Sequence, residues 1–152
     1  SAFDQQDLNS TLPEGEKKMN SQKLAAAVAL AERTGHVFIA TAHASGRTHL
    51  AAARTLTYIP QDQVTVSDWF CPQTVRNLHT NRFLSIVAWD PSTDQGFQLQ
   101  GELKAIESLE MLNGYSPELE AKPPIPQIDR QLLVRVEKVI DFKIRPHSDL
   151  EE

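Results

Sequence analysis

The order of segments predicts a mainly β, α+β fold: six or seven antiparallel strands closing a small barrel, with two or three peripheral helices. Three observations carry that expectation. Strand-like runs recur at short spacing and are joined by hairpin turns rather than by long helical crossovers. The run GFQLQGELKAI keeps period two, with Phe97, Leu99, Gly101, Leu103 and Ala105 on one face and Gln98, Gln100, Glu102 and Lys104 on the other. No GxGxxG follows a strand and no GKS or GKT is present, so a doubly wound nucleotide-binding sheet is not indicated.

The polar stretch 1–19, with Pro13 and Gly15 and no sustained period, reads as an arm ahead of one domain over 20–146 and an acidic tail over 147–152. From Asn20 or Ser21 a helix is expected: Leu24, Ala27, Val28 and Ala31 share a face, Asn or Ser caps the start and Gly35 closes the end. HVFIATAHASGRTHLAAARTLTYI then gives two β-like runs around a turn at Ala44 to Arg47. The small residues Ala51, Ala52 and Ala53 either admit a flat group or another backbone, or pack tightly beneath the first helix. Arg54 follows them directly and, in an apolar run, needs a carboxylate, a phosphate or solvent.

Pro60 to Gln63 turns the chain into a further alternating strand from Val64 to Asp68. Pro72 suits a first helical position, and Gln73, Thr74, Arg76 and Asn77 bring a hydroxyl, a guanidinium and amides to the start of a short helix, an arrangement suited to a phosphate. The alternative is a connecting helix with Val75 and Leu78 turned inward. RFLSIVAW reads as a central strand, Asp90 to Gly96 as a turn, and the alternating run follows. A short helix around Ser108 to Asn113 and a stiff crossing through Pro117, Pro123, Pro124 and Pro126 lead to QLLVRVEKVIDFKI, a long strand with a bulge near Lys138.

With 152 residues, 40% of them hydrophobic and 23% charged, the chain fits one globular domain. No apolar run reaches the roughly 18 residues that span a bilayer, and no basic segment leads into an apolar h-region, so a cytoplasmic protein without membrane contact is expected. A net charge of -5 argues against an extended nucleic-acid surface but leaves room for one small phosphate. Trp69 and Phe70 offer stacking surfaces, yet no basic groove accompanies them. The single Cys71 can form no internal disulfide and lacks companions for zinc; it reads as a reduced thiol near a helix start, where thiol pKa values fall. His43 and His49 flank one hairpin turn and can face each other, but two imidazoles without a third ligand make a weak metal site. No GxSxG elbow supports serine hydrolysis.

This order of elements resembles the FMN-binding split barrels related to pyridoxamine phosphate oxidase. The resemblance runs from His36 to Glu110 and rests on VFIATAHASGRTHLAAA, on QDQVTVSDWFCPQTVRNLHTNRFLSIVAW with Thr74, Asn77, Leu78 and Asn81 before a buried strand, and on GFQLQGELKAIESLE. It implies a split β-barrel and a homodimer with FMN at the subunit interface. Ala53, Arg54 and Thr55 would border the flavin, and Ser67, Asp68, Thr74, Arg76 and Asn77 would surround its phosphate end. The oxidases carry Arg-Lys where this chain has Gln73-Thr74, so charge compensation falls to Arg76 and Arg54. A family glutamine falls at Gly96 here, with Gln98 and Gln100 as substitutes, and no Trp and Arg segment for pyridoxal phosphate follows Ile144. The expectation is therefore an FMN-dependent oxidoreductase that is not a true pyridoxamine phosphate oxidase, working with a small-molecule electron donor or substrate. The alternative is a non-catalytic module that holds flavin, deazaflavin or haem for storage or sensing.

Overall fold

Asn20 starts the first helix, α1 (Ser21–Thr34), by accepting the amides of Gln22 and Lys23 on its side chain, and Gly35 ends it at φ 81°. Its buried stripe is Leu24, Ala27, Leu30 and Ala31, and Leu30 thus joins the face expected from the sequence. The computed structural model describes residues 19–67, 71–108 and 130–145. The arm over 1–18, the proline-rich crossing, the body of the helix expected up to Asn113 and the acidic tail lie outside the described residues.

Among the described residues seven strands follow: β1 (Val37–Ala42), β2 (Thr48–Ala53), β3 (Thr55–Ile59), β4 (Gln63–Ser67), β5 (Phe83–Asp90), β6 (Gln95–Ser108) and β7 (Arg130–Asp141). A second helix, α2 (Pro72–Thr80), sits between β4 and β5. Every pairing is antiparallel and the order is β2-β1-β5-β6-β7-β4-β3. The two edge strands, β2 and β3, are joined by Arg54 alone. One residue spans under about 4 Å, so the sheet must curl until its opposite edges meet at that corner. This is the geometry of a split β-barrel, in agreement with the sequence expectation.

The core forms on the concave side. Ala51, Ile39, Ile86, Leu99 and Val139 stand in register across five strands, and Ile39, Ile86 and Leu99 are buried. Helix α1 packs on β3, β5 and β6, closing one end of the barrel, and its Lys23 pairs with Asp141 at 3.2 Å. The convex side carries Phe38, Leu50 and Phe83, which are 39%, 70% and 60% exposed.

Three expectations need correction. The run from Thr48 to Ile59 is two strands, because closure bends the chain at Arg54 without any Gly or Pro to announce it. Ser108 ends β6 instead of opening a helix, since it still pairs with Arg130. The last strand stops at Asp141, and Phe142 and Ile144 lie beyond it, exposed. There the Asp94 carboxylate accepts the amides of Ile144 and Arg145, both at 2.8 Å, in place of a strand partner. The expected bulge is real: the β6–β7 register shifts between Gln100 and Gly101, opposite Lys138 and Val136.

Candidate functional site

The closing corner gathers four of the residues expected to hold a cofactor. Ala53 is buried at the end of β2, Arg54 is exposed at the bend, and Thr55 faces Ser67 across the β3–β4 ladder. Among the described residues Arg54 forms no ion pair. Only residues 68–70 separate Ser67 from Cys71, the residue that precedes α2, so the helix start lies within a short reach of this corner. Asp68, Trp69 and Phe70 lie outside the described residues.

Helix α2 divides its polar residues between two environments. Pro72 occupies the first turn, as expected, and Thr74, Asn77 and Leu78 are buried. Asn77 donates to Thr41 Oγ1 at 3.0 Å and accepts from Gln73 Nε2 at 2.8 Å, so its amide is committed on both sides to protein. Arg76 is exposed and donates to Gln73 Oε1 at 2.9 Å. The inward pair Thr41 and His49, opposite each other on β1 and β2, receives the helix: Thr41 meets Asn77, and His49 Nε2 lies 3.2 Å from Cys71 Sγ.

His49 and His43, which flank the hairpin turn, each bond elsewhere. The His43 Nδ1 takes up Ser45, through its hydroxyl and its amide, at 2.9 Å each, within the hairpin turn. Both imidazoles border one polar cavity of about 410 Å³, together with Arg47, Gln73 and Asn77. Burial raises the Cys71 pKa, but the Thr74 hydroxyl, His49 and the Thr74 amide together outweigh it and bring the thiol to about 7. Among the described residues no cluster of three His, Cys, Asp or Glu is placed to hold a metal ion.

Gln98 sits on the convex face. It is in register with Val87 and Ile140, and Val87 in turn with Phe38 and Ala52. One row along, Leu50, Ala40, Ser85, Gln100 and Lys138 cross the same face. An open hollow of about 420 Å³ lies there over Ala40, Ala42, Ser85 and Gly101, walled by Phe83, Gln100 and Glu137. Its floor is made of small side chains, so a planar group can approach the sheet closely. Gly96 carries no side chain for a reason of packing: a Cβ there meets the Phe142 and Ala88 carbonyls and the Trp89 ring. Gln98, two residues on, is the first position on that face able to present an amide.

The sequence alone did not mark Thr41, His49, Gln73 or Gln100 as a group. The pairing of Thr41 with His49 could have been read from the hairpin register; their approach to α2 depends on how the helix docks.

No protein-family profile matches this sequence, and no curated protein matches it in sequence. Solved structures do match the fold. An FMN-binding protein from Syntrophomonas wolfei superposes with a TM-score of 0.60 at 15% identity, over 80% of this chain and 86% of that one. A Clostridium acetobutylicum protein related to general stress protein 26, of the pyridoxinephosphate oxidase family, gives 0.56 at 21% identity over 84% and 98%. An F420 reductase gives 0.54 at 16% identity over 73% and 93%.

Proposed function

From a chain that has the split-barrel fold of pyridoxamine 5'-phosphate oxidase-like FMN-binding proteins, we propose a homodimeric flavoprotein that binds FMN between its subunits and serves as an oxidoreductase for a small molecule. The observation that carries this reading is the convex sheet face. It combines a small-residue floor at Ala40, Ala42 and Ser85, amide-bearing Gln98 and Gln100, and exposed Phe38, Leu50 and Phe83. A flat, partly polar ring suits such a floor, and a second copy of the chain suits the exposed apolar side chains.

The donor set fits the rest of the cofactor. The Arg54 guanidinium is exposed beside Thr55 and Ser67, which supplies a charge and hydroxyls for a phosphate. Asn77, held by Thr41 and Gln73, and Thr74, buried within the helix start, support α2 from inside and leave the outward contacts to Arg54 and Arg76. Bound flavin would supply hydride or electron transfer; the chain's own residues bind it, orient it and shield it from water. Deazaflavin is the second reading, supported by the likeness of the fold to an F420 reductase.

Titration of the purified chain with FMN, followed by quenching of flavin fluorescence, tests this. Arg54→Ala is expected to weaken binding about tenfold to a hundredfold, the equivalent of one charge-assisted hydrogen bond of about 1.5 to 3 kcal/mol. Arg76→Ala is expected to lose less, because that guanidinium already serves Gln73. A wild-type chain that retains neither FMN nor F420 after desalting would remove the reading.

A further inference from the structure

The convex face and the Arg54 corner are absorbed by the proposed flavin site, which leaves the Cys71–His49 pair without a part in it. We propose that Cys71 and His49 form a thiolate–imidazolium pair and that Cys71 is a site of oxidation by hydroperoxides.

Three features of the fold place it. Cys71 stands at the N-terminus of α2 in extended conformation, φ -153° and ψ 99°, where the helix dipole favours a negative charge. His49 Nε2 lies 3.2 Å from Sγ, a distance at which a proton can pass between them. The Thr74 hydroxyl is fully buried and makes no well-formed hydrogen bond among the described residues, yet it lies against the thiol and favours its ionised form. A buried hydroxyl in that state has a donor to offer to an oxygen added at sulfur. Cys71 itself is partly exposed, so a small oxidant can reach it.

The cavity beside His49, which Cys71 itself does not line, carries positive or neutral groups: His43 and Arg47 from the β1–β2 hairpin, Gln73 and Asn77 from α2, and among the described residues no carboxylate.

The chemistry balances without a further cofactor. His49 takes the Cys71 proton. The thiolate attacks the terminal peroxide oxygen, an S–O bond forms and the O–O bond breaks, sulfur gives up two electrons, and the leaving hydroxide or alkoxide recovers the proton from His49 as water or an alcohol. The product is a sulfenic acid at Cys71. Because the chain has one cysteine, no internal disulfide can follow; a small thiol condenses with the sulfenic acid to a mixed disulfide, releasing water.

The test uses the full chain as purified, with no flavin added. Hydrogen peroxide followed by dimedone is expected to give a mass adduct on Cys71, and iodoacetamide alkylation is expected to titrate with a midpoint of about 7. His49→Gln is expected to raise that midpoint by more than one unit, toward about 8.5, and to slow peroxide oxidation at pH 7 about threefold, since lost thiolate outweighs gained nucleophilicity. Thr74→Val, which keeps the side-chain shape, is expected to shift the midpoint in the same direction and carries the test if His49→Gln does not fold. A wild-type midpoint of 8.5 or above, or no adduct on Cys71, overturns the proposal. These readouts need no bound flavin, so they stand apart from the fate of the FMN reading.

Discussion

Asp94 sits at φ 55° in the turn between β5 and β6, a backbone conformation that Asp and Asn tolerate better than most residues. Its carboxylate accepts the amides of Ile144 and Arg145 and, at 3.2 Å, the Trp89 indole N–H. The Ile144 and Arg145 amides chiefly hold its pKa below the ordinary carboxylate range, outweighing the opposing effect of burial, with lesser help from Trp89 and the Lys143 charge. A carboxyl whose pKa is depressed by folding stabilises the fold above its unfolded pKa of about 3.9 and loses that contribution as pH falls through the lower folded value. Asp94→Asn keeps the backbone conformation and removes the charge. We expect it to unfold at lower urea than wild type at pH 7, with the gap narrowing once pH drops below about 4. A gap that is the same at pH 7 and pH 3 would contradict this origin. Residue-level legibility had a clear limit at Asn77. Its amide reads as a surface phosphate ligand from the sequence, yet it is buried against Thr41, a partner 36 positions away that no local pattern reveals.

The elements best read from the sequence are those whose signals are local. Asn20 and Gly35 bound α1 because capping needs only neighbouring residues, and Ser45-Gly46 turns the first hairpin because Gly46, at φ 95°, relieves the backbone there. The three-residue turn between β3 and β4 departs from that pattern, with Gln61 and Asp62 at φ 72° and 60° in place of glycine. Asp62 is held from outside, accepting from Ser21 at 2.8 Å and offering its carbonyl to Val136 at 3.0 Å. Strand β6 was legible from its period and the bulge from the break at Lys138, but which residues of β6 face that bulge is a property of two strands together. Gly101 marks that junction: a Cβ added there would collide with the Arg135 carbonyl, a backbone atom that cannot rotate aside. Gly101→Ala is therefore expected to destabilise the chain by about 1 to 3 kcal/mol, as overpacking does elsewhere. The urea midpoint reads this directly, and an unchanged midpoint would mean that the bulge absorbs a methyl group without cost.

On the scale of the molecule, the barrel buries one face of its sheet and leaves the other with a demand for a partner. Leu50 and Phe83 are 70% and 60% exposed on the convex side, and Phe38 adds 39% of its surface in the neighbouring row. The margin is polar: Glu102, opposite Phe83, pairs with Arg135 at 2.8 Å and with Arg82 at 3.8 Å. Apolar centre and charged rim are the anatomy of a protein interface. We expect the proposed homodimer to show as a particle of twice the 17.0 kDa chain mass in light scattering at micromolar concentration. Leu50→Asp with Phe83→Asp places two charges in that centre and is expected to return the mass to 17.0 kDa while leaving the barrel core, which neither side chain enters, folded. Leu50→Asp alone, at a side chain that does not line the hollow walled by Phe83, separates two roles that a flavin titration alone would merge. If FMN lies between subunits, this variant as a monomer loses flavin although Arg54 is intact, whereas Arg54→Ala loses flavin and stays dimeric. A monomeric variant that binds FMN as tightly as wild type would place the cofactor within one barrel and leave the convex face to assembly alone.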